Sequence, residues 1–377
     1  MAKAGNGFTL NGLQKDGETG MQIAGSREQT SGVLKKDEAG EQDSEERMTL
    51  PVDNLSLFCP TKFLYCMEEQ LLGLHHITAI ATSAQRNHRF YTNVLGLRFV
   101  KKTVNFDDPD TYHFYFGNEH GSPGTILTFF PWEGIAPGRR GTGMATEIGY
   151  SVPEGSLDFW RARFDKYNII YNKPSERFGE TYLPFLDPDG LKLELIVPKT
   201  ADARQPWETE EVKAAVATKG FHNVTLTLQD IKETADILTD VFGYQLIDQH
   251  VNRYRFATSA VENAALVDLV EVRGEANGLV AGGTIHHVAF RVKDETVQER
   301  FREKLADRGL QVTGQIDRNY FYSIYFREPG GVLFEIATDN PGFTVDEPLT
   351  ELGTHLKLPE QYEGRRSRIE QRLPVLG

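Results

Sequence analysis

Five residues are placed to do metal chemistry: the adjacent pairs His75-His76 and His286-His287, and the carboxylate Glu335. Each pair lies in a short apolar stretch, Leu74-His75-His76-Ile77-Thr78 or Ile285-His286-His287-Val288-Ala289, that reads as a buried strand. Glu335 lies in Leu333-Phe334-Glu335-Ile336-Ala337, where a charge is costly unless it is paired or ligating. Successive strand residues point to opposite faces, so one histidine of each pair is expected to face a given cleft. A lone strand histidine is more often a hydrogen-bonded core residue, but two such pairs at matching positions favour a metal. Two imidazoles and one carboxylate leave about three coordination positions open, which suits non-haem Fe(II) taking both an organic substrate and dioxygen. Zinc hydrolysis can use the same donors.

Four segments that share one plan, a strand, an amphipathic helix and then a run of strands, must position these side chains. They span about Leu72–Pro131, Ala145–Pro198, Gly220–Val272 and Thr284–Thr338. The spacing predicts helices over Ser83–Val94, Leu157–Tyr167, Ile231–Phe242 and Glu295–Asp307; Gly96, Gly243 and Gly309 supply the left-handed residue after three of them. Aligned on their own landmarks, the first strands place His76, Glu147, Asn223 and His287 at one position, with His222 one residue out of phase beside His286. The last strands, counted from Gly124, Gly190 and Gly331, place Thr128, Glu194 and Glu335 together; in the third repeat both Asp268 and Glu271 fit. The first and fourth repeats thus supply His76, His287 and Glu335. The second and third supply Glu147, Glu194 and Asn223 without a histidine in phase, and read as a vestigial cleft. A rival ligand set is His222, His287 and Glu335, which the phase of His222 disfavours.

The bulk properties narrow the setting. A chain of 377 residues predicts two or three compact units, and a net charge of −13 argues against nucleic acid or an anionic membrane as partner. No run of eighteen apolar residues predicts a membrane span. Two cysteines, Cys59 and Cys66, precede the first strand, so reducing cytoplasm is the expected compartment. Residues 1–70 are polar and Gly-rich and are expected to be a disordered extension, with Met48 and Met67 as alternative starts. Residues 71–198 hold modules 1 and 2, residues 199–218 a linker with some helix, and residues 219–340 modules 3 and 4. Residues 341–377 are expected to be a charged tail whose arginines 365, 366, 368 and 372 lie on a solvated helix.

A strand–helix–three-strand unit used four times resembles the vicinal oxygen chelate superfamily over roughly residues 72–340. The resemblance implies an α+β fold of four βαβββ modules that form two incomplete-barrel clefts. The two His-His stretches, together with Phe99-Val100-Lys101-Lys102-Thr103-Val104-Asn105, Tyr112-His113-Phe114-Tyr115-Phe116-Gly117, Gly121-Ser122-Pro123-Gly124-Thr125 and Phe334-Glu335-Ile336-Ala337-Thr338-Asp339, are similar to the ring-cleaving dioxygenases that act on hydroquinones. That resemblance implies iron ligands at His76, His287 and Glu335. It implies substrate and supporting roles for His75, Thr78, His286, Arg318 and Tyr325, with Fe(II), or alternatively Mn(II), as cofactor. The expected partners are a small aromatic substrate and dioxygen; a homo-oligomer is compatible. The alternatives are an extradiol catechol dioxygenase, a glyoxalase-like lyase or isomerase, and a metal-free aromatic-binding module. A glyoxalase-like site would want a fourth ligand where Thr128 stands, and a binding module would have lost the three donors.

Overall fold

The computed structural model describes residues 70–376. The expectations placed on residues 1–69, including the alternative starts and both cysteines, lie outside the described residues. Module 1 contributes β1 (Leu74–Ala81), β2 (Arg98–Val104), β3 (Tyr112–Gly117) and β4 (Ile126–Pro131). Module 2 contributes β5 (Met144–Ser151), β6 (Ser175–Arg177), β7 (Glu180–Leu186) and β8 (Lys192–Val197). Module 3 contributes β9 (Gly220–Leu228), β10 (Gln245–His250), β11 (Arg253–Ala257) and β12 (Leu266–Glu271). Module 4 contributes β13 (Ile285–Val292), β14 (Ile316–Asp317), β15 (Phe321–Arg327) and β16 (Leu333–Pro341).

In each module the first strand runs parallel to the last, with the two middle strands outside. The helix between first and second strand makes this possible, because a parallel pair needs a crossover. Modules then join first strand to first strand, antiparallel. One eight-stranded sheet runs β14-β15-β16-β13-β1-β4-β3-β2, from modules 4 and 1. The other runs β10-β11-β12-β9-β5-β8-β7-β6, from modules 3 and 2. Each sheet therefore takes one module from each half of the chain.

The main core lies between the sheets and their helices and is rich in aromatic side chains. Phe242, from the module 3 helix, packs on Phe290 and Phe334 of module 4, with ring centroids 4.8 and 6.2 Å away. Arg163 of the module 2 helix donates to Val94 O and Asn93 O at the end of the module 1 helix. The helices of modules 1 and 3 begin as α-helix at Ala84–Arg89 and Lys232–Asp236, then widen into π turns at Phe90–Val94 and Ile237–Val241. The apolar period alone predicts an uninterrupted α-helix there; the local widening belongs to i→i+5 bonding, which the period does not report.

Two expectations are modified. In the linker the expected helix reduces to one turn, Ala217 N to Lys213 O. Thr209 closes a local loop on Val212 through both its backbone and its hydroxyl, and such local bonds compete with a helix. The segment after β16, expected as a charged tail, folds back on module 1 and buries Phe343, Leu352, Ile369 and Leu373. Lys101 of β2 is fully buried and ties it down through Asp346 and Glu347, both at 2.6 Å. The short helix Arg366–Arg372 does keep an exposed polar side, where Arg366 pairs with Glu363 and Glu370.

Candidate metal centre

The first sheet is curved, and its concave face carries a second apolar cluster, separate from the main core, that includes Tyr115, Ile126, Ala289, Phe321 and Phe343. Strand register sets the polar groups among these residues. Tyr325, Glu335, Ala289, His76 and Ile126 lie side by side across five strands, and Tyr115, Thr128, Thr78 and His287 form a parallel row across four. Cross-strand neighbours share a face, so His76 and Glu335 look into the same cleft with only the small Ala289 between them.

His76, His287 and Glu335 converge there, all buried, with one donor atom from each within 4.8 Å of the others. Glu335 Oε2 is 2.9 Å from His287 Nε2 and 3.3 Å from His76 Nε2, and the two Nε2 atoms are 3.4 Å apart. Metal–ligand bonds of about 2.1 Å would separate neighbouring donors by about 3.0 Å at right angles, or about 3.4 Å in a tetrahedron. Glu335 Oε2 is buried without a hydrogen-bond donor, while Ser323 donates to Glu335 Oε1.

The neighbouring histidine explains why the His76 Nε2 is bare. His75 Nε2 lies 3.1 Å from the carbonyl of Thr338, which can only accept, so the proton sits on His75 Nε2. Burial, then the neighbouring His76, holds the His75 pKa well below its ordinary value, so the ring is neutral and its Nδ1 accepts. The His76 Nδ1, 2.9 Å away, must donate to it, which leaves His76 Nε2 as a lone pair aimed at Glu335 and His287. His286 Nδ1 and His287 Nδ1 repeat the contact at 2.8 Å. Burial pushes His286 down to about 3, and burial also lowers His287 against the pull of Glu335. Two imidazole nitrogens and a carboxylate oxygen thus converge on one buried spot, a donor set that a cation would satisfy.

One expectation needs correction. Strict alternation would send His75 and His286 to the far face of the sheet. Instead each occupies a β-bulge. Register slips at His75, between Leu74 and His76, and at His286, between Ile285 and His287. A bulge inserts one unpaired residue and re-aims its side chain. The same slip recurs in the second sheet at Thr146 and His222.

The remaining expected site residues are placed as follows. Arg318 follows β14 and donates Nε to the Tyr325 hydroxyl at 3.2 Å, with its guanidinium 5.3 Å from the Tyr325 ring centre. The Tyr325 ring meets His287 edge-on at 5.8 Å. Thr78 lies in the row beside the ligands and bonds Thr128, hydroxyl to hydroxyl, at 2.8 Å. His222 lies in the other sheet, 3.0 Å from Glu180. The contributions of Ser323, Phe321, His113 and Tyr115 were not read from sequence. Phe321 packs on His76 at 4.9 Å, and His113 contacts Thr128 and Tyr115. Alternation along β3 could have paired residues 113 and 115 on one face, but their register against Thr128 depends on the long loop before β4.

Comparison with known proteins places these features. The family described as Glyoxalase/Bleomycin resistance protein/Dioxygenase superfamily matches residues 73–195 and 220–336. The chain is 46% identical over 307 residues to the Bacillus subtilis protein named "Putative ring-cleaving dioxygenase MhqO", covering 81% of this chain and 97% of that one. It is 37% identical over 311 residues to the chlorohydroquinone/hydroquinone 1,2-dioxygenase of Sphingobium indicum, covering 80% and 96%. A crystal structure of a "putative dioxygenase" from Bacillus subtilis superposes with a TM-score of 0.79 at 45% identity, covering 82% and 98%.

Proposed function

We propose that this chain, which belongs to the Glyoxalase/Bleomycin resistance protein/Dioxygenase superfamily and has the vicinal oxygen chelate fold, cleaves the ring of a hydroquinone with dioxygen at an Fe(II) centre held by His76, His287 and Glu335. The observation that carries this reading is the convergence of two imidazole nitrogens and an unsatisfied carboxylate oxygen in one buried, apolar-lined cleft. Bound Fe(II) would supply open coordination positions for a substrate oxygen and for dioxygen, with Mn(II) as the other candidate.

The protein's own groups then set the geometry. A hydroquinone carries its oxygens para to one another, so only one can reach the ligand cluster and side chains must hold the ring. Phe321, Phe343 and Ile126 offer apolar surface to it. Arg318 stands beside Tyr325 as a fixed cation that would stabilise negative charge on a substrate oxygen. Burial raises the Tyr325 pKa, so its phenol keeps its proton; the phenol oxygen accepts from Arg318 Nε, and its O–H points away from the guanidinium. His75 and His286, neutral because buried, hold the ligand rings in orientation. Positioning of this kind removes a large share of the barrier to a two-reactant step. The reaction would take place in the cytoplasm, on small molecules.

The test is oxygen uptake by anaerobically Fe(II)-loaded protein across hydroquinone, methylhydroquinone and catechol. Uptake with a hydroquinone, lost in Glu335→Ala together with bound iron, is expected. Uptake confined to catechol would transfer the reading to extradiol cleavage, and none with any diol would defeat it.

A further inference from the structure

The pseudo-twofold relation between modules 1 and 4 puts Thr128 where Glu335 stands in its mate. Tyr115 lies opposite Thr128 as Tyr325 lies opposite Glu335. Two residues earlier on those strands, His113 and Ser323 correspond. Ser323 bonds Glu335, and His113 Nε2 bonds Thr128 Oγ1 at 3.0 Å. In module 1 the contact continues in both directions. His113 Nδ1 is 2.9 Å from the Tyr115 hydroxyl, and Thr128 Oγ1 is 2.8 Å from Thr78 Oγ1. Four side chains on three adjacent strands therefore form one hydrogen-bonded chain that ends at Thr78, two residues from His76 and directly across from His287.

We propose that this chain runs in one direction, from Tyr115 through His113 and Thr128, and that His113 is a positioning residue whose tautomer leaves the Thr78 hydroxyl proton free for a substrate oxygen. Tyr115 fixes the direction. It is buried among the rings of Tyr320, Phe321 and Phe343, at centroid distances of 5.9, 6.5 and 5.2 Å, where no other acceptor among the described residues meets its hydroxyl. A phenol is a better donor than acceptor, so it donates to His113 Nδ1. A neutral imidazole accepting at Nδ1 carries its proton on Nε2 and donates to Thr128. With no other acceptor for its proton among the described residues, the Thr128 hydroxyl donates to Thr78, its other partner. Thr78 has no further acceptor among the described residues, and on its face of β1 lie His76 and the open side of the ligand cluster. Run the other way, the chain would spend the Thr78 proton on Thr128 and strand the Tyr115 proton among aromatic rings. A carboxylate at position 128 could only accept and would break the chain, which accounts for a threonine where the mate has Glu335.

The substrate clause rests on the dioxygenase reading; the direction of the chain does not. Long-range 1H–15N spectra of histidine-labelled, metal-free protein report the tautomer directly, with the His113 signals identified by their loss in His113→Gln. A neutral Nε2–H ring is expected, and an Nδ1–H ring would overturn the proposal. Anaerobic titration of Fe(II)-loaded protein with hydroquinone tests the other end. Thr128→Val is expected to raise the dissociation constant about tenfold, with Thr128→Ser restored to within about twofold and iron content unchanged in both. Equal affinity in wild type and Thr128→Val, or no binding by wild type, would overturn the substrate role of Thr78. Wild-type protein that binds hydroquinone but takes up no oxygen would defeat the dioxygenase reading alone.

Discussion

The two sheets repeat one another strand for strand, and their concave faces solve the same steric problem with different charges. At equivalent positions the first carries His76, Thr128, His287 and Glu335; the second carries Glu147, Glu194, Asn223 and Asp268. Register identifies the last of these. Ala289 pairs with Glu335, Thr78 with Thr128 and Gly149 with Glu194, each two residues beyond the ligand position, and Thr225 pairs with Asp268 in the same way. The third repeat's acid is therefore Asp268 and not Glu271. Three carboxylates on one face would be untenable alone. Arg177 pairs with Glu194, Arg253 with Glu147 and Asp268, and Arg255 holds Asp268 through two nitrogens while reaching Glu180. Arg177 occupies in module 2 the place that Arg318 occupies in module 4. The second cleft thus supplies its cations covalently, from its own strands. The first has acceptors and no cation among its three converging atoms, which is the condition for a bound one. Equal backbones do not make equal sites; the balance of donors and acceptors does.

Removing ligands separates the two clefts most sharply. His76→Ala should drop bound iron to background by elemental analysis, whereas His222→Ala should keep it. Iron retained in the first variant and lost in the second would reverse the assignment of the sites. Breaking the second cleft should cost stability and not metal. Arg255→Ala leaves the fully buried Asp268 without its two-nitrogen partner and should destabilise the fold by about 3–5 kcal/mol in urea unfolding, with iron binding intact. A loss below about 1 kcal/mol would mean the cluster is solvated and of little structural weight.

Acid should distinguish the clefts more gently, in metal-free protein. Burial opposes ionisation of Glu147 and Glu180, but Arg253 and Lys192 on the first, and His222 and Arg255 on the second, bring both down to about 2. Their native pKa values lie below the unfolded value of 4.5, so they stabilise above that pH and lose the contribution as pH falls toward about 2. In the first cleft, burial holds His286 at about 3 against an ordinary 6.5. The unfolded chain therefore takes up that proton first, and stability falls as pH drops from about 6.5 toward about 3. Unfolding midpoints across pH should show both windows. His286→Gln should shrink only the upper, to which the buried His75 and His287 also contribute, and Arg253→Met should shrink only the lower, through Glu147, leaving the part of Glu180 that His222 and Arg255 hold; windows unchanged by either substitution would show that these groups do not control the acid response.

Much of this was legible in the chain. Four apolar strand–helix patterns, the glycines that end the helices and the glycine turns before the last strands aligned His76, His287 and Glu335 without any tertiary information. The equivalence of His222 with His286 was legible for the same reason, since phase along a strand is local. Asp268 was not, because no glycine turn anchors its strand. His113 and Tyr115 were not, because a one-residue difference in the loop before β4 would have faced them elsewhere. Nor were the arginines of the second cleft, whose partners come from strands far apart in the chain.

By itself, then, the sequence determined the repeat, the helices, the donor types and which histidine of each pair stands in ligand phase. Tertiary structure decided three things. Bulges at His75 and His286 turn all four imidazoles into one cleft. The Thr338 carbonyl fixes a tautomer that bares His76 Nε2. Arginines fill one cleft, whereas in the other two imidazoles and a carboxylate converge without one. The physical reason is common to all three. Side-chain period along a strand is set by covalent geometry, whereas a bulge, a tautomer and a charge balance are set by hydrogen bonds to neighbouring strands, and those neighbours exist only once the sheet has formed.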